Sequence, residues 1–159
     1  MKDRAKLAAF QSGLTAAAGQ LAAADKTYLA AVRGALRGGA LAEADGALTR
    51  FDQQVALAVQ AAPPSPDFGG CAAPAKAAVD KARKVLIQAA VGRRQRVEGV
   101  RKLGASRGLS IADYFSVAPP GAADIAPQLK RGLTEASGVI TRCEHPPRPK
   151  PPRRGDGRL

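Results

Sequence analysis

Apolar side chains recur along most of this chain in alternating steps of three and four. The first series runs Leu7, Phe10, Leu14, Ala17, Leu21, Ala24, Tyr28, Ala31. A seam sustained over several heptads predicts a long amphipathic helix. Gly38-Gly39 supplies its stop, and Arg33 and Arg37 suit the negative helix end. A second seam follows in Leu41, Ala44, Leu48, Phe51, Val55, Ala58 and Ala62, and ends at Pro63-Pro64. The stretch APPSPDFGG then reads as a loop.

The third helix is predicted to start near Ala73, with Pro74 tolerated in the first turn. Its stripe is Val79, Ala82, Leu86, Ala89, Ala90, Val97 and Val100, and it stops near Gly104 or Gly108. Ser110 with Asp113 forms a capping pair for a short helix in SIADYFSV, which APPG breaks. A fourth long helix carries Ile125, Leu129, Leu133, Ala136, Ile140 and Cys143, with Asp124 as its cap and Pro127 in the first turn. Short connections between long amphipathic helices favour antiparallel neighbours. The fold class expected is all-α: an antiparallel up-down bundle of about four helices over residues 1–143. Residues 144–159, HPPRPKPPRRGDGRL after Glu144, have no periodicity and read as a disordered, basic, proline-rich tail.

Composition changes the picture in one respect. Roughly a fifth of the chain is alanine, aromatics are 4%, and Trp is absent. Such seams bury little area per residue, so the core is thin. That motivates a non-catalytic interaction protein that docks a protein partner, or itself, through small-residue seams and a basic face.

Charge changes it further. Of the net +12, residues 76–107 hold ten basic and two acidic side chains, a net of +8, and residues 142–159 add +4 from six against two. Wound at about 100° per residue, Lys76, Arg83, Arg94 and Arg101 fall on one flank of the third helix. Lys84 and Lys102 share the far side, with Asp80 and Glu98 between. A cationic row complements a polyanion such as nucleic acid, and Arg148, Lys150, Arg153 and Arg154 of the tail extend it. No helix-turn-helix, zinc-finger or aromatic stacking pattern accompanies the row, so any nucleic-acid binding would be sequence-independent. Against all this stands the plain alternative of a solvated helix face. Arg93 differs, because it projects into the apolar stripe and needs a partner. Counting back across the loop points to Asp45 or Glu43, with Glu135 as a further candidate.

Cys71 precedes the third helix and Cys143 closes the fourth. An up-down bundle brings those ends to one pole, which makes a disulfide possible; two free cysteines are the other reading. Cys143-Glu144-His145 with Cys71 falls short of the four ligands of a structural zinc site, so no metal or other cofactor is assigned. Catalysis is not expected: there is one histidine, the carboxylates Asp45, Asp52, Asp80, Glu98 and Glu135 are scattered, and no phosphate-binding glycine motif occurs. Asp67-Phe68-Gly69 and Arg154-Gly155-Asp156 match known tripeptides without their contexts. Pro149 to Arg154 fits a short proline ligand pattern.

No apolar run is long enough to span a bilayer. The N-terminal stretch lacks the continuous apolar core of a signal peptide, so the expected location is cytoplasmic, or periplasmic or secreted if the two cysteines pair. Three functions follow: an interaction and assembly protein, a sequence-independent nucleic-acid binder, or an extracytoplasmic disulfide-pinned bundle that binds anionic polymers or a small ligand.

Overall fold

The structure, a computed structural model, describes residues 2–118 and 125–153. Five helices pack together, and the described residues contain no strand. They are α1 (Lys2–Gly38), α2 (Leu41–Ala61), α3 (Ala75–Ser106), α4 (Ile111–Phe115) and α5 (Ala126–Glu144), with a 3-10 turn at Gly70–Ala72 before α3.

α1 keeps its predicted face from Leu7 to Tyr28 and then departs from it. Val32 and Ala35 are buried, whereas Ala31 is only half-buried. A helix of 3.6 residues per turn drifts about 20° per heptad against a strict seven-residue repeat. Over the roughly seven turns from Leu7 to Val32 that drift accumulates to about 70°, enough to bring Val32 inward in place of Ala31. The chain reverses at Gly39, where φ is +67°, a backbone region open to glycine. Leu41, expected in the second seam, is 43% exposed, while Ala44, Leu48, Phe51, Val55, Ala58 and Ala62 are buried.

α3 begins two residues later than its proline suggested. Pro74 takes the N-cap position, and the 3-10 turn carries the chain into it. The helix ends at Ser106, between the two glycines considered as stops. α4 carries the expected capping box: the Ser110 backbone N–H donates to Asp113 Oδ2 at 2.7 Å and the Asp113 backbone N–H donates back to the Ser110 side chain, whose hydroxyl also lies 3.0 Å from Oδ2. Arg107 and the Ser110 backbone N–H hold the Asp113 carboxyl down at about 2. α5 starts at Ala126 with Pro127 in its first turn; the expected cap Asp124 lies outside the described residues.

α1 packs along α2 and α3 along α5; α2 also meets α3, α1 meets α5 and α3, and α4 touches both α1 and α2. The α3–α5 seam is close at Gly132, where a Cβ would stand 3.0 Å from Ala82 Cβ and 3.2 Å from the Ala78 carbonyl oxygen. α5 is 19 residues to the 32 of α3 and covers only part of it. α4 and the residues after it fill in beyond, burying Tyr114, Val117 and Ala118. The alanine-rich seams are thus closed by the chain's own helices: Ala17, Ala24, Ala44, Ala58, Ala82 and Ala136 are all core.

One pole gathers chain segments distant in sequence. Cys71 and Cys143 form a disulfide with Cα atoms 5.6 Å apart. Arg4 donates to Glu144 at 2.6 Å, so the starts of α1 and α3 both meet the last turn of α5. The loop between α2 and α3 is held there too, with Lys6 donating to the Asp67 carbonyl and Lys76 to its carboxylate.

Candidate functional site

The predicted cationic row lies where α3 meets α2, and each member has a partner there. Lys76 pairs with Asp67 at 2.7 Å, and the shared hydrogen bond lowers the acid and raises the amine, so both stay charged. Arg83 Nε donates to the Pro63 carbonyl at 2.9 Å, just beyond the end of α2. Arg94 and Arg101 both face Asp52, at 3.2 and 3.8 Å. Lys102 pairs with Glu98 one turn back. Part of the row's charge is therefore neutralised by α2 and the loop. Arg148, Lys150 and Arg153 are exposed; Arg154 lies outside the described residues.

Arg93 does not pair with Asp45, Glu43 or Glu135. Its guanidinium makes a two-pronged contact with Asp25 of α1, Nε to Oδ1 at 2.8 Å and Nη2 to Oδ2 at 2.6 Å, and Nη1 donates to the Ala89 carbonyl. The reason is geometric. α1 and α3 both start at the disulfide pole, so residues at equal distance from it lie level. Arg93 is 7% exposed and satisfied. Nearby, Arg96 Nε donates to the Val117 carbonyl at 2.7 Å; burial, together with the Arg93 charge, pulls its guanidinium below the ordinary value.

Asp45, freed from Arg93, accepts a 2.5 Å hydrogen bond from Tyr114 Oη–H. Tyr28 Oη–H donates to the Tyr114 carbonyl at 2.7 Å, and its ring lies 4.8 Å from that of Phe51. Burial and the Asp45 contact push Tyr114 up to about 12, and burial raises Tyr28 as well. These side chains fasten α4 to α1 and α2.

What remains open is elsewhere. Among the described residues, exposed cations without an ion-pair partner occur on every long helix: Lys2, Lys26, Arg33 and Arg37 of α1, Arg50 of α2, Lys81 and Lys84 of α3, and Lys130, Arg131 and Arg142 of α5. Of these, Lys81, Lys84, Lys130 and Arg131 gather at the middle of the α3–α5 pair. Wound at about 100° per residue, Lys81, Lys84 and Arg131 face the outer shoulder of the α3–α5 pair, with Glu135 beside them. Lys130 faces the other side of α5, onto a groove of about 490 Å3 between α1 and α5 lined by Gln11, Thr15, Leu129, Lys130, Thr134 and Ser137. Sequence reading passed over Lys130 and Arg131 because they sit in a segment of net −1 from residues 108 to 141, with two basic and three acidic residues. The signal was their position on the polar side of α5.

No group of three or more metal-ligating side chains occurs among the described residues, and no helix there is long and apolar enough to cross a membrane. The chain matches no protein-family model, no curated protein and no solved structure.

Proposed function

We propose that this protein is a non-catalytic binding module, an up-down bundle of about four long helices with a basic proline-rich tail, that docks an anionic partner through its uncompensated cations. The observation that carries this is the contrast between the two sides of α3. Toward α2, its cations meet carboxylates or a carbonyl; on its outer face Lys81 and Lys84, with Arg131 of α5, have no ion-pair partner among the described residues. Because the small-residue seams are filled by the chain's own helices, the charged exterior is the better candidate for a docking surface. The disulfide favours an oxidising compartment, where such links persist. An anionic polymer outside the cell, or in its envelope, suits that setting better than nucleic acid. None of the six aromatic residues is exposed for base stacking.

A second reading has its own support. Leu36, Leu41 and Leu103 are exposed near the pole opposite the disulfide, as a surface for self-association or a protein partner would be.

The two readings separate in one experiment. Retention on an immobilised polyanion, measured over a salt series together with sedimentation, should show a monomer whose apparent affinity falls steeply as salt rises. A chain that ignores every polyanion, or that self-associates independently of salt, would overturn the first reading in favour of the second.

A further inference from the structure

The groove between α1 and α5 has features that charge alone does not explain. Its floor is apolar, formed by Leu129, Leu133 and the half-buried Ala18. Its walls carry Gln11 and Thr15 from α1 and Thr134 and Ser137 from α5. All four are exposed, and none makes a side-chain hydrogen bond among the described residues. At about 490 Å3 the groove falls within the range of small-ligand sites. One cation, Lys130, stands on its edge.

This set of groups selects among anionic partners. Two hydroxyls from threonine, one from serine and an amide can donate and accept, so they complement a ligand rich in hydroxyl groups. A single lysine complements one acid group per ligand unit. An apolar floor suits the C–H face of a ring. A nucleobase would want an aromatic platform, and the groove has none. A lipid surface would want exposed apolar side chains, yet α5 has no exposed large apolar residue.

We infer that this groove is a subsite for one acidic sugar unit of an anionic polysaccharide, with Lys130 meeting its carboxylate, sulfate or phosphate. The polymer leaves the groove over the back of α5, where Arg131 follows Lys130 on the opposite shoulder and Lys84 and Lys81 lie beyond on α3. The inference rests on the reading of the protein as a polyanion-docking module and adds to it a place and a ligand chemistry.

Affinity electrophoresis of the full, disulfide-intact chain in gels containing polygalacturonate tests it, with sulfated dextran distinguishing the acid group. Lys130→Gln is expected to weaken retardation about threefold and Thr134→Leu by at least as much. Thr134→Leu is decisive because it fills the groove without altering charge. The variant Arg94→Gln/Arg101→Gln, which removes two charges from the α2 side, should change retardation less than twofold. Circular dichroism of each variant establishes that the helices are intact. If polygalacturonate retards the protein but Thr134→Leu matches wild type, the groove assignment fails while polyanion docking stands. If no polysaccharide retards it, the groove assignment falls, and polyanion docking falls with it when no other immobilised polyanion retains the chain. If a thymidine oligonucleotide or phosphatidylglycerol vesicles compete for the groove more strongly than the polysaccharide, the ligand class is wrong.

Discussion

Arg93 and Asp25 show how one residue pair can decide the interior of an alanine-rich fold. Arg93 is 7% exposed and its two-pronged contact with Asp25 lies between α1 and α3. Removing one member of a buried pair leaves the other charged and unpartnered, which costs far more than the pair contributes. Asp25→Ala is therefore expected to lower stability by about 3 kcal/mol in urea unfolding, and Asp25→Leu with Arg93→Met to recover most of it. Equal stability of Asp25→Ala and wild type would mean that Arg93 reaches water. That Arg93 needs a partner is legible from its place in the apolar stripe; which acid it takes is not. Simple loop counting follows neighbours in sequence, whereas Asp25 reaches Arg93 because two helices that are not consecutive start at the same pole.

The elements themselves are legible where periodicity is long. All four long helices and the Ser110–Asp113 cap follow from spacing and capping chemistry, while boundaries shift by a few residues and the α1 face rotates from Ala31 to Val32. What spacing could not convey is how α4 is used. Tyr114 projects between α1 and α2, hydrogen-bonded to Asp45 and accepting from Tyr28. With its folded value pushed up to about 12, against about 10 in an unfolded chain, Tyr114 contributes stability fully below pH about 10. That contribution is lost as pH rises through about 12. Tyr28 and Tyr114 are the chain's two tyrosines, so an alkaline titration reads them alone. Tyrosinate absorbance and loss of helical circular dichroism should appear together, in one step above pH about 10. Tyrosinate forming near pH 10 with helicity intact would show that α4 is not clamped. The candidate site was only partly visible for a related reason. Composition located the cations on α3, but not which of them α2 would neutralise, since Asp52 meets Arg94 and Arg101 only once the helices are packed.

For the molecule as a whole, the thin core raises the importance of its one covalent cross-link. Cys71 and Cys143 are 72 positions apart, and in the chain-entropy account closing a loop of that length stabilises the fold by about 4 kcal/mol. Reduction and alkylation should lower the melting temperature by roughly 10 °C in calorimetry. No change on reduction would mean that the packed helices suffice. The same bond also divides the chain into regions of unlike topology. Gly108, on the exposed connection between α3 and α4, lies inside the closed loop, whereas Gly39 lies outside it. A protease nick at Gly108 leaves both products on one covalent molecule until a thiol is added, but a nick at Gly39 leaves α1 retained by contacts alone. Hydrolysis could thus sever the backbone beside α4 without shedding either half of the body.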